Sequence, residues 1–234
     1  MYMMAEPLIQ DEVLDALRSL DTCTVANAIE TFDVRLRNTG FANARIRCMF
    51  EDLPPMVGYA ATARLRTDDP PIAGGCYHDH SEWWNSILQV PPPRIVVLQD
   101  TGNPPGVGAF VGNMHAAILK ALGCVGYVTN GAVRELPSVR ELGLHLFAGS
   151  VSVSHAYAHL FDFGCTVEID DLEVQPRALL HGHRHGLMTV PKNIAPQIPA
   201  VAAKLRETEQ RVIDFCGSNE FSVNKLRQVM KELV

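Results

Sequence analysis

A chain of 234 residues, 47% hydrophobic and 20% charged, is long enough to bury a sizeable core and has the balance of an ordinary globular protein. Its formal net charge of −6 and pI near 5.8 argue against phosphate-backbone binding, which needs clustered Lys and Arg, so no nucleic-acid partner is expected. No apolar run approaches the roughly 18 residues of a membrane span, so no membrane association is expected either.

The six cysteines, Cys23, Cys48, Cys76, Cys124, Cys165 and Cys216, are scattered with no close pair. They read as thiols of a reducing compartment rather than a disulfide frame or a zinc site. Met1 to Ile9 carries Glu6 and lacks a long apolar core, unlike a secretory signal, and a cytoplasmic location is expected.

Asp11 suits the N-cap of a helix over Glu12 to Leu20, with Val13, Leu14, Leu17 and Leu20 on one face. Asp21-Thr22 caps a second helix from about Thr24 to Thr31. Asp33 to Leu53 is mixed and irregular with one short strand; Arg35, Arg37, Arg45 and Arg47, followed by Glu51 and Asp52, read as a solvated loop face. Val57 to Thr67 suits a buried strand. Ser81 caps a short helix, preceded by His78, Asp79 and His80, which are either metal ligands or polar loop decoration. Beyond Pro91-Pro92-Pro93, the continuous apolar run within Arg94 to Asp100 predicts a strand covered on both faces. Asp100 at its end either faces a site or caps the turn leading to Gly106.

Residues 106 to 149 organise the rest. Gly112-Asn113 opens a helix over Met114 to Leu122, Gly123 stops it, and Cys124 to Thr129 is a short apolar strand leading into Asn130-Gly131-Ala132-Val133-Arg134-Glu135. Two polar loops therefore meet at one edge of a sheet. Amides near Asn113, Met114 and His115 at a helix start could hold a carboxylate or phosphate. Arg134 adds a planar fork for the same anion, and Glu135 is a hard oxygen ligand of the kind that holds Mg²⁺ or Mn²⁺. The plainer alternative for these residue types is a helix start beside a solvated ion pair.

Leu136 to Leu142 reads as a short helix and Leu144 to Phe147 as another strand. In the segment Val151 to Tyr157, His155 is either an acid–base group or a structural donor. Two hairpins follow, one across Asp170-Asp171 and one across His181 to Gly186. His181, His183 and His185 lie at strand spacing in the second, as exposed turn residues or as a shared transition-metal site. Pro199 opens a helix to about Cys216, and Ser222 caps a last one to Val234; this amphipathic tail packs on its own domain or on a neighbouring subunit. Alternating strands and helices from 57 to 149, the hairpins from 166 to 190 and the lack of a dividing linker predict one α/β/β domain over residues 1–234. Its core spans about 12–192, with helical segments at both ends.

The order of these segments resembles the RraA-like family of 4-hydroxy-4-methyl-2-oxoglutarate aldolases and regulators of ribonuclease activity. The resemblance rests on the segments Asp21 to Ala28, Gly58 to Ala63, Gly112-Asn113, Gly123 to Gly126, Asn130 to Glu135, Leu144 to Ala148 and Gly186 to Pro191. It implies an α/β/β sandwich and a Mg²⁺- or Mn²⁺-dependent lyase that cleaves a small 2-oxo acid through a pyruvate enolate. On that template Arg134 binds substrate carboxylate or oxo oxygen, Gly112, Asn113, Met114 and His115 line the pyruvyl site, and Glu135 stands in for the metal-binding Asp. Asn113 occupies the place of an acidic residue of the catalytic branch, and Asn130 that of a common Asp, which leaves His155 to transfer the proton. The resemblance also implies a homotrimer or homohexamer. Its other branch implies a non-catalytic regulator of a protein partner; retention of both Arg134 and Glu135 favours the enzyme.

Overall fold

A computed structural model describes residues 8–72 and 81–232. In chain order these form α1 (Asp11–Arg18), α2 (Thr22–Glu30), β1 (Arg47–Cys48), β2 (Met56–Arg66), α3 (Ser81–Leu88), β3 (Arg94–Asp100), β4 (Ala109–Val111), α4 (Asn113–Ala121), β5 (Cys124–Val133), α5 (Leu136–Glu141) and β6 (His145–Val151). The chain continues through β7 (His159–Phe163), β8 (Val167–Ile169), β9 (Leu172–Val174), β10 (Leu179–His183), β11 (Gly186–Val190), a 3₁₀ turn (Ala195–Gln197), α6 (Ile198–Cys216) and α7 (Val223–Glu232).

The central sheet runs β1-β6-β5-β3-β2-β10-β11, with β4 alongside β5 and β7 alongside β2. Its middle pairs, β2 with β3, β3 with β5 and β5 with β6, are parallel, as expected where helices connect the strands. Strand β3 shows why the run Ile95 to Leu98 is apolar throughout. Successive side chains point to opposite faces, so Val96 and Leu98 enter the core beneath the helices while Ile95 and Val97 enter a second core on the other face. That second core is sealed by the β8–β9 hairpin, which contributes Val167, Ile169, Leu172 and Val174. Asp170 and Asp171, at φ of 46° and 68°, supply the tight turn whose twist matches such a hairpin.

The sheet nearly closes on itself. Residues 40–42 pair with one edge, through Ala42 N–H to Leu187 O and Thr189 N–H to Gly40 O, and the same segment then enters β1, which pairs with β6 at the other edge. Inside, β6 and β10 approach so closely that a Cβ on Gly182 would lie 2.8 Å from the Phe147 ring. Only glycine fits there without opening the sheet.

On the helical face, α1 buries Leu14 and Leu17, and α2 buries Val25, Ala28 and Ile29. Asp21 caps α2 by accepting the Thr24 amide at 2.9 Å. Burial would raise its carboxyl, but the hydrogen bonds from Thr24 and the nearby Arg206 outweigh that and bring it down to about 2. Helix α1 begins one residue earlier than expected, so Gln10 rather than Asp11 is its cap. Strands β5 and β6 extend to Val133 and Val151, past the expected ends at Thr129 and Phe147, because the pairing tolerates an irregularity between Thr129 and Ala132. The short strands β4 and β7 carry too few residues to show a period and were not expected; both lie beside longer strands that supply their pairing.

Candidate active site

Arg134 and Glu135 leave the end of β5 just where α4 begins. The parallel β4–β5 pairing places Val111 beside Val133, so the two loops meet as the polar residues at 112–113 and 134–135 imply. Glu135 adopts φ 56°, ψ 39°, a left-handed conformation that is strained for a residue with a side chain. It turns the carboxylate back over the mouth of α4. There Glu135 Oε2 accepts the Asn113 amide at 2.7 Å, and Oε1 accepts from Arg134 Nη2 at 2.9 Å.

The anion at the helix mouth is thus the protein's own. The sequence expectation gives the helix-start amides to a substrate carboxylate; in this structure the Asn113 amide is engaged by Glu135. The same hydrogen bond is the largest influence on the Glu135 carboxyl; with Arg134 and the charge of His155 it outweighs desolvation and holds the group below the usual carboxylate range. Both side chains remain reachable from solvent, Arg134 at 25% exposure and Glu135 at 42%.

Gly112 makes this packing possible. A Cβ at that position would lie 2.5 Å from Glu135 Oε2 and 3.0 Å from Arg134 Cγ. Gly112 therefore supplies the space that the ion pair occupies.

The supporting layer is a hub built on Asp100, which is 2% exposed. Its carboxylate accepts from Thr67 Oγ1 at 2.9 Å, from the Gly102 amide at 2.9 Å and from the Gly106 amide at 2.7 Å. Asp100 is therefore the turn cap of the two roles open to it. Asn130 locks the hub to β5 by accepting the Asp100 amide at 2.7 Å and donating to the Asp100 carbonyl at 2.9 Å. A carboxylate could accept the first of these but not donate the second, which gives a physical reason for an amide at 130. The sequence carries a signal for the hub, an Asp followed by Gly two residues later at a strand end, but not for its long-range partner Thr67.

His155 lies on the loop that crosses this edge of the sheet. Its Nδ1 is 2.9 Å from the Ala109 carbonyl, which only accepts, so Nδ1 carries a proton and Nε2 is the nitrogen left to exchange one. Met114 sits beside Asn113 with its side chain exposed, as are Val151 and Val153 next to the end of β5. His115 packs against Phe110 with ring centroids 4.7 Å apart and the planes tilted by 36°, so its ring contributes to packing at the base of the helix mouth.

Residues 21–189 match the family model described as RraA-like, Aldolase/RraA. The chain belongs to the RraA-like family. No curated protein matches it in sequence. Among solved structures it is similar to an uncharacterized protein from Pseudomonas syringae, at 22% identity and a TM-score of 0.73 over 98% of this chain and 99% of that one. It is also similar to RraAS2 of Streptomyces coelicolor, titled an unusual member of the RNase ES inhibitor RraA family, at 20% identity and 0.68 over 87% and 96%. The RNA-processing inhibitor RraA from Thermus thermophilis aligns at 16% identity and 0.51 over 71% and 92%. These likenesses show a shared fold, α/β with a nearly closed sheet and terminal helices.

In this RraA-like chain the histidine run does not form an exposed turn. His181 and His183 lie within β10 and are buried; only His185 is exposed. His181 Nε2 is 3.1 Å from the carbonyls of Leu17 and Leu20 at the end of α1, and its Nδ1 is 3.2 Å from Thr22 Oγ1. Both ring nitrogens are thereby used in tying α1 and α2 to the sheet, which removes His181 as a metal ligand. Burial pushes its imidazolium down to about 4. His78, Asp79 and His80 lie outside the described residues.

A groove of about 700 Å³ opens beside the ends of β2 and β3, lined by Arg66, Asp69, Pro70, Ile72, Thr101 and His159, and Arg134 and Glu135 are not among its described lining residues. Among the described residues no three His, Cys, Asp or Glu side chains converge as a cation cage. Mg²⁺ and Mn²⁺ do not need one: such ions keep most of their water and bind through one or two carboxylates plus substrate oxygens. Glu135 fits that requirement, being held ionised and partly exposed with acceptor capacity left on each oxygen.

Proposed function

We propose that this chain is a divalent-metal-dependent lyase, an aldolase or decarboxylase, acting on a small 2-oxo acid in the cytoplasm. The observation that carries this reading is the pairing of the Arg134 guanidinium with the ionised Glu135 carboxylate over the N-terminus of α4. Arg134 has donors beyond the one it gives Glu135, and these bind the substrate carboxylate or 2-oxo oxygen. Glu135 would hold Mg²⁺ or Mn²⁺, and such an ion would supply Lewis-acid stabilisation to the oxygen that gains charge. Gly112 and Asn113 with Met114 and His115 form the wall against which the pyruvyl group lies.

In aldol cleavage the hydroxyl proton leaves, the carbon–carbon bond breaks, and its electrons pass into the enolate of pyruvate, which then takes a proton at carbon. His155 Nε2 is the group suited to accept and return that proton, since Nδ1 is committed to Ala109. The Asn113 side chain can orient a water but cannot take its proton. The exposed Met114, Val151 and Val153 form an apolar rim that a second subunit would cover, in a trimer or in paired trimers.

Pyruvate release from a panel of 2-oxo acids with Mn²⁺ tests this reading. Arg134→Ala and Glu135→Ala are each expected to abolish turnover while the melting temperature stays within a few degrees of the parent. Unchanged rates would reject the site. One observation favours a second reading, a non-catalytic regulator that binds a protein partner: the side chain at Asn113 is uncharged where a general base would stand. A pure binding module shows no metal-dependent affinity for pyruvate or oxalate, so titrating Mn²⁺ with either separates the two.

A further inference from the structure

We propose that the groove beside the ends of β2 and β3 is a specificity subsite that takes an uncharged aromatic group on C4 of the oxo acid rather than a second carboxylate. This rests on the lyase reading above for where the oxo-acid end lies. The groove adjoins the Arg134–Glu135 site through two segments of chain. Thr101, which lines it, directly follows Asp100, whose carboxylate also holds the Gly106 amide on the way to the mouth of α4. His159, which lines it too, follows the turn that carries His155. In that turn the Ala158 amide donates to the His155 carbonyl at 3.0 Å, which keeps the two Cα atoms within about 7 Å, and the next Cα lies about 3.8 Å further on. His159 therefore starts within about 11 Å of His155, a separation that an oxo acid with a ring on C4 spans.

Charge excludes a second anion. Arg66 is the one guanidinium among the described lining residues, and it is already shared. Its Nε and Nη2 donate to Asp68 at 3.2 Å each, and Nη2 also donates to Asp69 at 3.3 Å. On the same strand Arg64 gives Nη2 to the Thr166 carbonyl at 2.7 Å, and its Nη1 lies 3.8 Å from Asp162. Against the Arg66 charge stand the carboxylates of Asp68, Asp69 and the buried Asp100, so an entering anion meets net negative charge.

The rest of the lining suits a ring. His159 and Phe161 lie two apart on β7, so their rings project from one face of the strand. The His159 Nδ1 is 2.6 Å from the Tyr157 carbonyl, which fixes that ring. Pro70 and Ile72 add aliphatic surface, Ile72 being 84% exposed. An aromatic group stacked here buries apolar surface otherwise left to water. The substrate class is then a 4-aryl-4-hydroxy-2-oxobutanoate. Its cleavage balances without oxidant or reductant. The C4 hydroxyl loses its proton, the C3–C4 bond breaks, and the electron pair passes to C3 as the enolate of pyruvate. C3 then takes a proton, and C4 leaves as an aromatic aldehyde.

Calorimetric titration of the full-length protein with Mn²⁺ present tests this with two inert analogues, 2-oxo-4-phenylbutanoate and 2-oxoglutarate, which differ only in carrying phenyl or carboxylate on C4. The phenyl analogue is expected to bind about tenfold more tightly. Ile72→Asp, at an exposed position where the fold does not depend on the side chain, should erase that preference. Asp69→Lys should raise the affinity for 2-oxoglutarate and not for the phenyl analogue. Equal or tighter binding of 2-oxoglutarate by the parent, or a preference that survives Ile72→Asp, overturns the proposal. Pyruvate binding without a phenyl preference removes the subsite and leaves the lyase reading standing, whereas failure of pyruvate itself to bind removes both.

Discussion

Replacing Gly112 by alanine isolates the packing that the proposed chemistry depends on. The backbone there has φ −129° and ψ −160°, which any residue adopts, so the substitution adds no conformational strain. Its only effect is steric. The new methyl would lie 2.5 Å from Glu135 Oε2, and ordinary contact requires the carboxylate to retreat by about 1 Å. That retreat opens the 2.7 Å bond to the Asn113 amide and drags Arg134 with it. A misplacement of roughly 1 Å in a positioning group lowers turnover on the order of a hundredfold. Gly112→Ala is therefore expected to lose about two orders of magnitude in pyruvate release and to bind Mn²⁺ more weakly by calorimetry. Its circular dichroism spectrum and melting curve should remain those of the parent. Parental activity and Mn²⁺ affinity in a folded Gly112→Ala protein would refute the idea that the pair must sit against the helix mouth.

Other expectations follow from the same contacts. The His181 imidazolium has a folded pKa of about 4, below its ordinary 6.5, so the fold prefers the neutral ring. This contribution is fully present above pH 6.5 and is lost as pH falls through 4, amounting to about 3 kcal/mol. Denaturant melts from pH 7.5 to 4 should show that decline, and His181→Gln should flatten it. Asn130→Asp keeps the acceptor for the Asp100 amide but faces the Asp100 carbonyl with no donor. It is expected to destabilise the protein by about 1–3 kcal/mol, read by chemical unfolding. His155→Gln should lower pyruvate release sharply while leaving Mn²⁺ binding in place; unaltered turnover would assign proton transfer to another group.

The sequence alone determined the elements whose physics is local. The run Ile95 to Leu98 announces a strand covered on both faces, Asp21 a helix cap, Gly123 a helix stop at φ 76°, and Asp170-Asp171 a tight hairpin. It also brought Gly112-Asn113 and Arg134-Glu135 to one edge, because a helix followed by a parallel strand must return there. Tertiary structure decided what those residues do once they meet. Whether a helix amide receives a ligand or a neighbouring carboxylate depends on the left-handed turn at Glu135 and on a missing Cβ at Gly112, contacts separated by more than twenty positions. The same holds for His181: the spacing 181, 183, 185 fits a turn or a strand equally well. Only the packing of α1 and α2 against β10 places the ring among carbonyls that keep it buried and neutral. Side-chain type fixes which bonds a residue can make, but the fold chooses the partner, since partners distant in sequence leave no period or spacing to read.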